Sequence, residues 1–205
     1  YIREATGEEI EKTVDARELF HHIAETNWDY AEPGALFWDR VKSWNLLSNT
    51  ENFSYAGVNP CAEEPLPAGG SCLLGSINLA EFVSDPFTEN AAFDFEEFKQ
   101  CVRESVIALN EVLDEGLPLH PLKEQQESVR KWRQIGLGIM GLADMLIKMG
   151  LTYGEADAVA LCDDVGFAMA DTAIAQSALL AKNGGAYEEY HMDSVMSTPL
   201  LKKNT

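Results

Sequence analysis

The stretch Val58–Leu66, VNPCAEEPL, constrains this chain more than any other. Prolines at positions 60, 65 and 67 fix their own φ and push the residue before each out of the α region. No helix can persist from Pro60 to Pro67, so the segment is loop or extended chain. It carries Asn59, Cys61 and Glu63 at alternating positions. If the backbone there is extended, the three side chains point to one side and Glu64 to the other, because a strand repeats every two residues. A carboxylate so placed can act as a base, an amide can hold a hydroxyl, and a thiol can attack or release a hydrogen atom. The plainer alternative is a buried cysteine packed as a small hydrophobe, with Asn59 and Glu63 solvated.

Around this segment the periodicity is largely helical. Asp15 can cap a helix running to Tyr30, with Leu19, Phe20, Ile23 and Ala24 at helical spacing. Glu32-Pro33-Gly34 breaks it, and a short stretch rich in aromatics follows from Leu36 to Trp44. Cys72 to Leu79 reads as extended. Phe93 to Glu115 reads as a long helix with Phe95, Phe98, Val102, Ser105, Leu109 and Leu113 on one face, ended by Gly116 and Pro118. Ser128 to Gly150 holds a basic start, a glycine cluster and an apolar helix. Glu155 to Asn183 is a second long helix, closed by Gly184-Gly185.

Within that pattern Gly136-Leu137-Gly138-Ile139-Met140-Gly141 matches the G-x-G-x-x-G of dinucleotide-binding folds. That fingerprint needs a buried strand before the first glycine and an acidic residue at a later strand end. The lead-in Arg130-Lys131-Trp132-Arg133-Gln134 is too charged for such a strand, and Glu155 and Asp157 fall in a helix. The glycines read instead as tight packing, letting a helix start close against a neighbouring strand. A nicotinamide- or flavin-dependent oxidoreductase is the reading this disfavours.

The 205 residues suffice for one sizeable core, and 46% hydrophobic with 24% charged residues is ordinary for a folded chain. A formal net charge of −19 argues against nucleic acid or an anionic membrane surface as partner. The four cysteines, Cys61, Cys72, Cys101 and Cys162, form no C-x-x-C, and the histidines complete no zinc pattern, so no metal site is expected. An acidic chain with few cysteines and no visible signal reads as cytosolic, where thiols stay reduced. Its opening at Tyr1 and its end at Thr205 read as cuts in something longer.

Asn59-Pro60-Cys61-Ala62-Glu63-Glu64-Pro65-Leu66, followed by Ser71 to Leu79, resembles the large catalytic subunit of ribonucleotide reductases, and is most similar to the adenosylcobalamin-dependent (class II) branch. Glu32 to Phe37, Arg133 to Asp144 and Ala181 to Tyr187 agree with it in order and spacing. The resemblance runs from about Ala16 to Tyr187 and departs from the family's usual residues at Ala62 (glycine), Glu64 (glutamine) and Leu73 (asparagine).

The resemblance implies a helix-rich α/β chain, part of a ten-stranded α/β barrel, with a central cysteine finger at about residues 57–70 and residues 1–205 all within the catalytic barrel domain. It implies that Cys61 becomes the thiyl radical that removes the 3′ hydrogen of the substrate ribose. Glu63 takes the proton of the 3′ hydroxyl, and Asn59 hydrogen-bonds the same region. Cys72 matches one of two cysteines that reduce the intermediate and end as a disulfide, its partner lying upstream of this chain. Cys101 and Cys162 match no family role and read as small residues buried on helices. Adenosylcobalamin is the implied cofactor, with no binding residues recognisable here. The implied partners are a ribonucleotide, di- or triphosphate, and a thioredoxin- or glutaredoxin-type reductant, with the nucleotide effector site outside the chain. Alone, the chain is expected to be inactive. A second reading is a catalytically silent helical module that keeps family sequence and serves in binding or assembly.

Overall fold

A computed structural model describes residues 2–43, 45–71 and 73–198. The chain divides into two compact units, Tyr1–Ser43 and Trp44–Thr205.

In the first unit, β1 (Ile2–Arg3) pairs antiparallel with β2 (Glu8–Glu9). Helix α1 (Ala16–Tyr30) starts where its cap predicts, with Asp15 Oδ1 accepting from the Arg17 and Glu18 N–H groups at 2.8 and 3.0 Å. Ala31, in the left-handed region, ends it ahead of Glu32-Pro33. No residue of α1 is buried, and Phe20 and Trp28 are 73% and 89% exposed. The aromatic stretch after it forms α2 (Trp38–Ser43).

The second unit opens with a hairpin. Strands β3 (Tyr55–Val58) and β4 (Pro65–Pro67) pair antiparallel, Val58 opposite Pro65, with a register shift between Tyr55 and Gly57. β5 (Leu74–Asn78) follows, then a 3-10 turn at Leu79–Phe82 capped by Asn78. A small antiparallel pair, β6 (Val83–Ser84) and β7 (Ala92–Phe93), leads into α3 (Phe95–Gly116), capped by Asp94. A second 3-10 turn at Leu117–Leu119 precedes α4 (Lys123–Trp132). Then come β8 (Gly136–Met140), α5 (Leu142–Met149), α6 (Ala156–Gly184) and α7 (Met192–Met196).

β5 and β8 run parallel and in register from Leu74 opposite Gly136 to Asn78 opposite Met140. Parallel neighbours require a crossover, and α3 and α4 supply it. The apolar stripe of α3 closes over this pair and against α6. Phe98, Val102, Val106, Leu109 and Leu113 are its buried residues, so Val106 takes the place the spacing gave to Ser105. Phe98 and Val102 are wholly buried in a core with Ile77, Leu79, Met145, Leu146 and Val165. Phe82, Phe93 and Phe98 meet there edge to face or tilted at 5.3–6.0 Å between ring centroids, spacings that aromatic pairs favour. Small residues let α6 approach α3 closely, since Ala158 and Ala168 lie at that core.

The glycine cluster is the strand β8 itself, with Gly141 between it and α5. No strand precedes Gly136, because residues 130–132 end α4. The expected close approach is real. Gly141 has φ +69°, and a Cβ there would overlap Asn78 Oδ1 at the end of β5. Cys101 and Cys162 sit on α3 and α6 and are half-buried, Cys101 packing against the core. Among the described residues no helix is long and apolar enough to cross a membrane, and no group of three or more His, Cys, Asp or Glu is placed to hold a metal ion.

Candidate functional site

The proline-flanked segment forms the closed end of the β3–β4 hairpin, and no part of it is helical. Asn59 makes the loop. Its backbone carbonyl accepts from the Ala62 N–H at 2.9 Å, closing a four-residue turn, and its N–H donates to the Glu64 carbonyl at 3.3 Å. Its side-chain Oδ1 accepts from the Glu64 N–H at 2.9 Å. Asn59 therefore bonds across the loop from backbone and side chain both, a use to which short amide side chains are suited.

This geometry corrects the extended-chain premise. Residues 59–62 are a turn, and Ala62 stands in the left-handed region at φ +69°. The strand period does not pass through the loop, so alternation does not set which way its side chains face. Cys61 and Glu63 are exposed at the tip, while Asn59 is half-buried at the neck. Cys61 is a free thiol. Cys72, the fourth residue singled out by the sequence, lies outside the described residues.

Glu64, expected to face away from Cys61 and Glu63, is buried, with 8% of its surface exposed, while those two neighbours are exposed. Its Oε2 is shielded from solvent. Its carboxylate lies at the first residue of β8, where a Cβ on Gly136 would come 3.1 Å from Oε1. The one signal in the sequence was a long polar residue immediately before a Pro-Leu-Pro strand.

The hairpin is also held at its base. Phe53 packs edge-on against Tyr55 at 5.2 Å and against Trp132, the last residue of α4, at 4.8 Å. Burial of its phenol raises the Tyr55 pKa above its ordinary value. After Trp132 the chain turns through Arg133, in the left-handed region at φ +47°, and enters β8. The Arg133 guanidinium donates to both Asp114 carboxylate oxygens and to Asn110 Oδ1, which ties the end of α3 to this turn. These residues line a cavity of about 630 Å³ that also takes in the Gly184-Gly185-Ala186-Tyr187 stretch. The Tyr187 hydroxyl is pushed up to about 12, first by burial and then by Tyr190, whose ring is 5.4 Å away. Cys61 is not among the residues lining that cavity.

The arrangement offers an exposed thiol on a loop tip, a carboxylate two residues on, and an amide at the neck, all on a hairpin anchored at both base and neck. Residues 1–203 match the family described as ribonucleotide reductase, barrel domain. The chain is 32% identical over 89% of its length to a vitamin B12-dependent ribonucleoside-diphosphate reductase of Thermoplasma acidophilum, spanning 23% of that protein. It is 30% identical over 98% of its length to a vitamin B12-dependent ribonucleotide reductase of Streptomyces coelicolor, spanning 20% of it. A ribonucleoside-diphosphate reductase subunit alpha of Chlamydia pneumoniae is 30% identical over 93% of the chain, which spans 18% of that subunit.

Proposed function

Because the chain belongs to the ribonucleotide reductase barrel-domain family, we propose that it contributes the cysteine finger of a ribonucleotide reductase, an enzyme that makes deoxyribonucleotides for DNA synthesis. The observation that carries this reading is Cys61, exposed at the tip of a hairpin whose neck is bonded across by Asn59. The rest of the barrel domain surrounds that tip. A thiyl radical has to be shielded from water and stray reductants. The thiol is exposed here, so its walls come from elsewhere in a ten-stranded barrel. The β5–β8 pair fits as two of those strands. Parallel strands are ordinarily covered on both faces, yet Leu74, Ile139 and Met140 are 47%, 44% and 56% exposed.

In the proposed chemistry the Cys61 thiyl takes the 3′ hydrogen atom, forming the S–H bond and leaving a carbon radical on the ribose. The Glu63 carboxylate takes the 3′ hydroxyl proton and later returns it, and the 2′ hydroxyl takes a proton from the cysteine pair and leaves as water. Asn59 spends its amide oxygen on the Glu64 N–H. Its amide nitrogen is the end assigned to hold the sugar hydroxyl. Cys72 and a second cysteine outside this chain supply two electrons and two protons, one proton to the departing water and one to the new 2′ C–H bond, and end as a disulfide. Cys61 then returns its hydrogen atom to the 3′ carbon. A thioredoxin- or glutaredoxin-type dithiol regenerates the pair, in the cytoplasm.

Two of the relatives are named vitamin B12-dependent, and adenosylcobalamin is assigned as the radical source. An exposed thiol is what such a source requires of this chain. Two cavities of the described residues are lined by α1 side chains in the first unit and by the Arg133–Tyr187 group in the second. Neither is lined by Cys61, so no residue here is assigned to holding the corrin and no step is derived through it.

The test is made in the full-length protein. Cys61→Ser abolishes both 3′-hydrogen exchange and deoxynucleotide formation under any reductant, because a serine hydroxyl gives up its hydrogen atom far less readily than a thiol. Cys72→Ser keeps the exchange and loses turnover. Substantial turnover by Cys61→Ser sinks the assignment and leaves the hairpin as part of a binding or assembly module.

A further inference from the structure

We propose that Glu64 is a positioning residue for the finger thiol, its carboxylate seated on Gly136 so that the hairpin neck is fixed to the first residue of β8. The inference rests on the proposed role of Cys61 and adds to it a residue that does not touch substrate. Three observations bear on it. Glu64 is the one buried residue of the loop, at 8% exposure, while Cys61 and Glu63 beside it are exposed. Both of its backbone polar groups are used on Asn59, the N–H to the side chain at 2.9 Å and the carbonyl to the Asn59 N–H at 3.3 Å. Gly136 leaves the space its carboxylate fills. A Cβ there would lie 3.1 Å from Glu64 Oε1, 3.4 Å from its Cδ and 2.5 Å from Leu74 Cδ2.

The consequence follows from chain geometry. Gly136 is locked into the sheet, since its N–H donates to the Leu73 carbonyl at 2.8 Å and it stands opposite Leu74. Glu64 therefore couples a rigid strand end to the residue that closes the finger loop. Only Asn59 stands between that coupling and the turn that presents Cys61. Hydrogen-atom transfer needs the reacting atoms within a few tenths of an ångström of their productive spacing, and small misplacements at the neck are costly at the tip. Burial of a carboxylate is tolerated only when its surroundings satisfy it, and a glutamine of equal length keeps the same shape.

The test uses the full-length protein for both kinetics and amide hydrogen exchange. Glu64→Ala is expected to speed exchange at the Asn59, Ala62 and Glu64 amides about five- to tenfold, the size of one lost hydrogen bond, with the amides of α3 unchanged. In the full-length protein it lowers kcat and the rate of 3′-hydrogen exchange while leaving KM in place. Glu64→Gln restores both. Should Glu64→Ala fail to fold, Glu64→Leu keeps the buried volume and is read in its place. Unchanged kcat in Glu64→Ala overturns the proposal, as does a loss accompanied only by a general fall in Tm with no local change in exchange. Cys61→Ser run in parallel separates the two readings. If it is dead while Glu64→Ala is normal, the radical site stands and the positioning role falls. If it is active, the site itself was misassigned.

Discussion

Arg133 grips Asp114 through two parallel hydrogen bonds, Nη1 to Oδ1 at 2.6 Å and Nη2 to Oδ2 at 2.9 Å, with Nη2 also donating to Asn110 Oδ1 at 2.7 Å. The planar guanidinium matches a carboxylate in this way where a lysine could not. The fork spans from the last turns of α3 to the residue between α4 and β8, and so sets where the glycine-bearing strand begins. The Asp114 carboxyl is held below its ordinary value, first by these hydrogen bonds and then by the guanidinium's charge.

A pH dependence follows from that shift. A carboxylate whose folded pKa is depressed stabilises the fold above its unfolded value, near 3.8, and loses that contribution as pH falls through the lower folded value. The Asp114 side chain is 53% exposed, so solvent screening limits the effect to about 1 kcal/mol or less. Urea unfolding of wild type and Asp114→Asn is expected to differ by that amount near neutrality and to converge as pH falls through the lowered folded value. A gap that held constant through that fall would mean the asparagine acts through packing and not through the lost charge.

Ala62 occupies a left-handed backbone position, φ +69°, that costs a side-chain-bearing residue roughly 1–2 kcal/mol. The family resemblance has glycine there. Ala62→Gly is expected to raise stability by up to about 1 kcal/mol, the gain reduced by glycine's greater freedom in the unfolded chain. Chemical denaturation reads this directly. A destabilised variant would show that the turn does not need the left-handed conformation.

Phe98 is wholly buried between Phe82 and Phe93. Phe98→Ala is expected to cost about 3–5 kcal/mol, the range for emptying an aromatic site in a core. Because it lies in the cluster joining α3 to β5, α5 and α6, the loss should appear as a lower cooperative Tm across the second unit. Loss confined to the hairpin would contradict this placement of the core.

The glycines of Gly136–Met140 lie along a strand rather than in a turn between strand and helix. Calorimetry is therefore expected to show no saturable binding of a nicotinamide or flavin nucleotide. Micromolar binding that vanished in Gly138→Trp would restore the dinucleotide reading.

What could be read from the sequence was what short-range chemistry controls. Asp15 and Asp94 cap helices because their side chains reach N–H groups two and three residues on. The apolar stripe of α3 is a 3.6-residue period, and its one misplaced member, Ser105 for Val106, shows the resolution of that signal. Prolines alone excluded helix from the finger loop. The burial of Glu64 was not legible, because its carboxylate fills the space left at Gly136, more than seventy positions later, which only the folded chain brings beside it. The strand at Gly136–Met140 was equally hidden. Its two glycines have weak strand propensity, and its conformation is decided by β5, some sixty positions earlier, which supplies the hydrogen-bond partners. Local composition sets caps, breaks and stripes; pairing across distance decides which glycine run becomes a strand and which glutamate is buried against it, because those choices depend on partners that only the tertiary fold brings near.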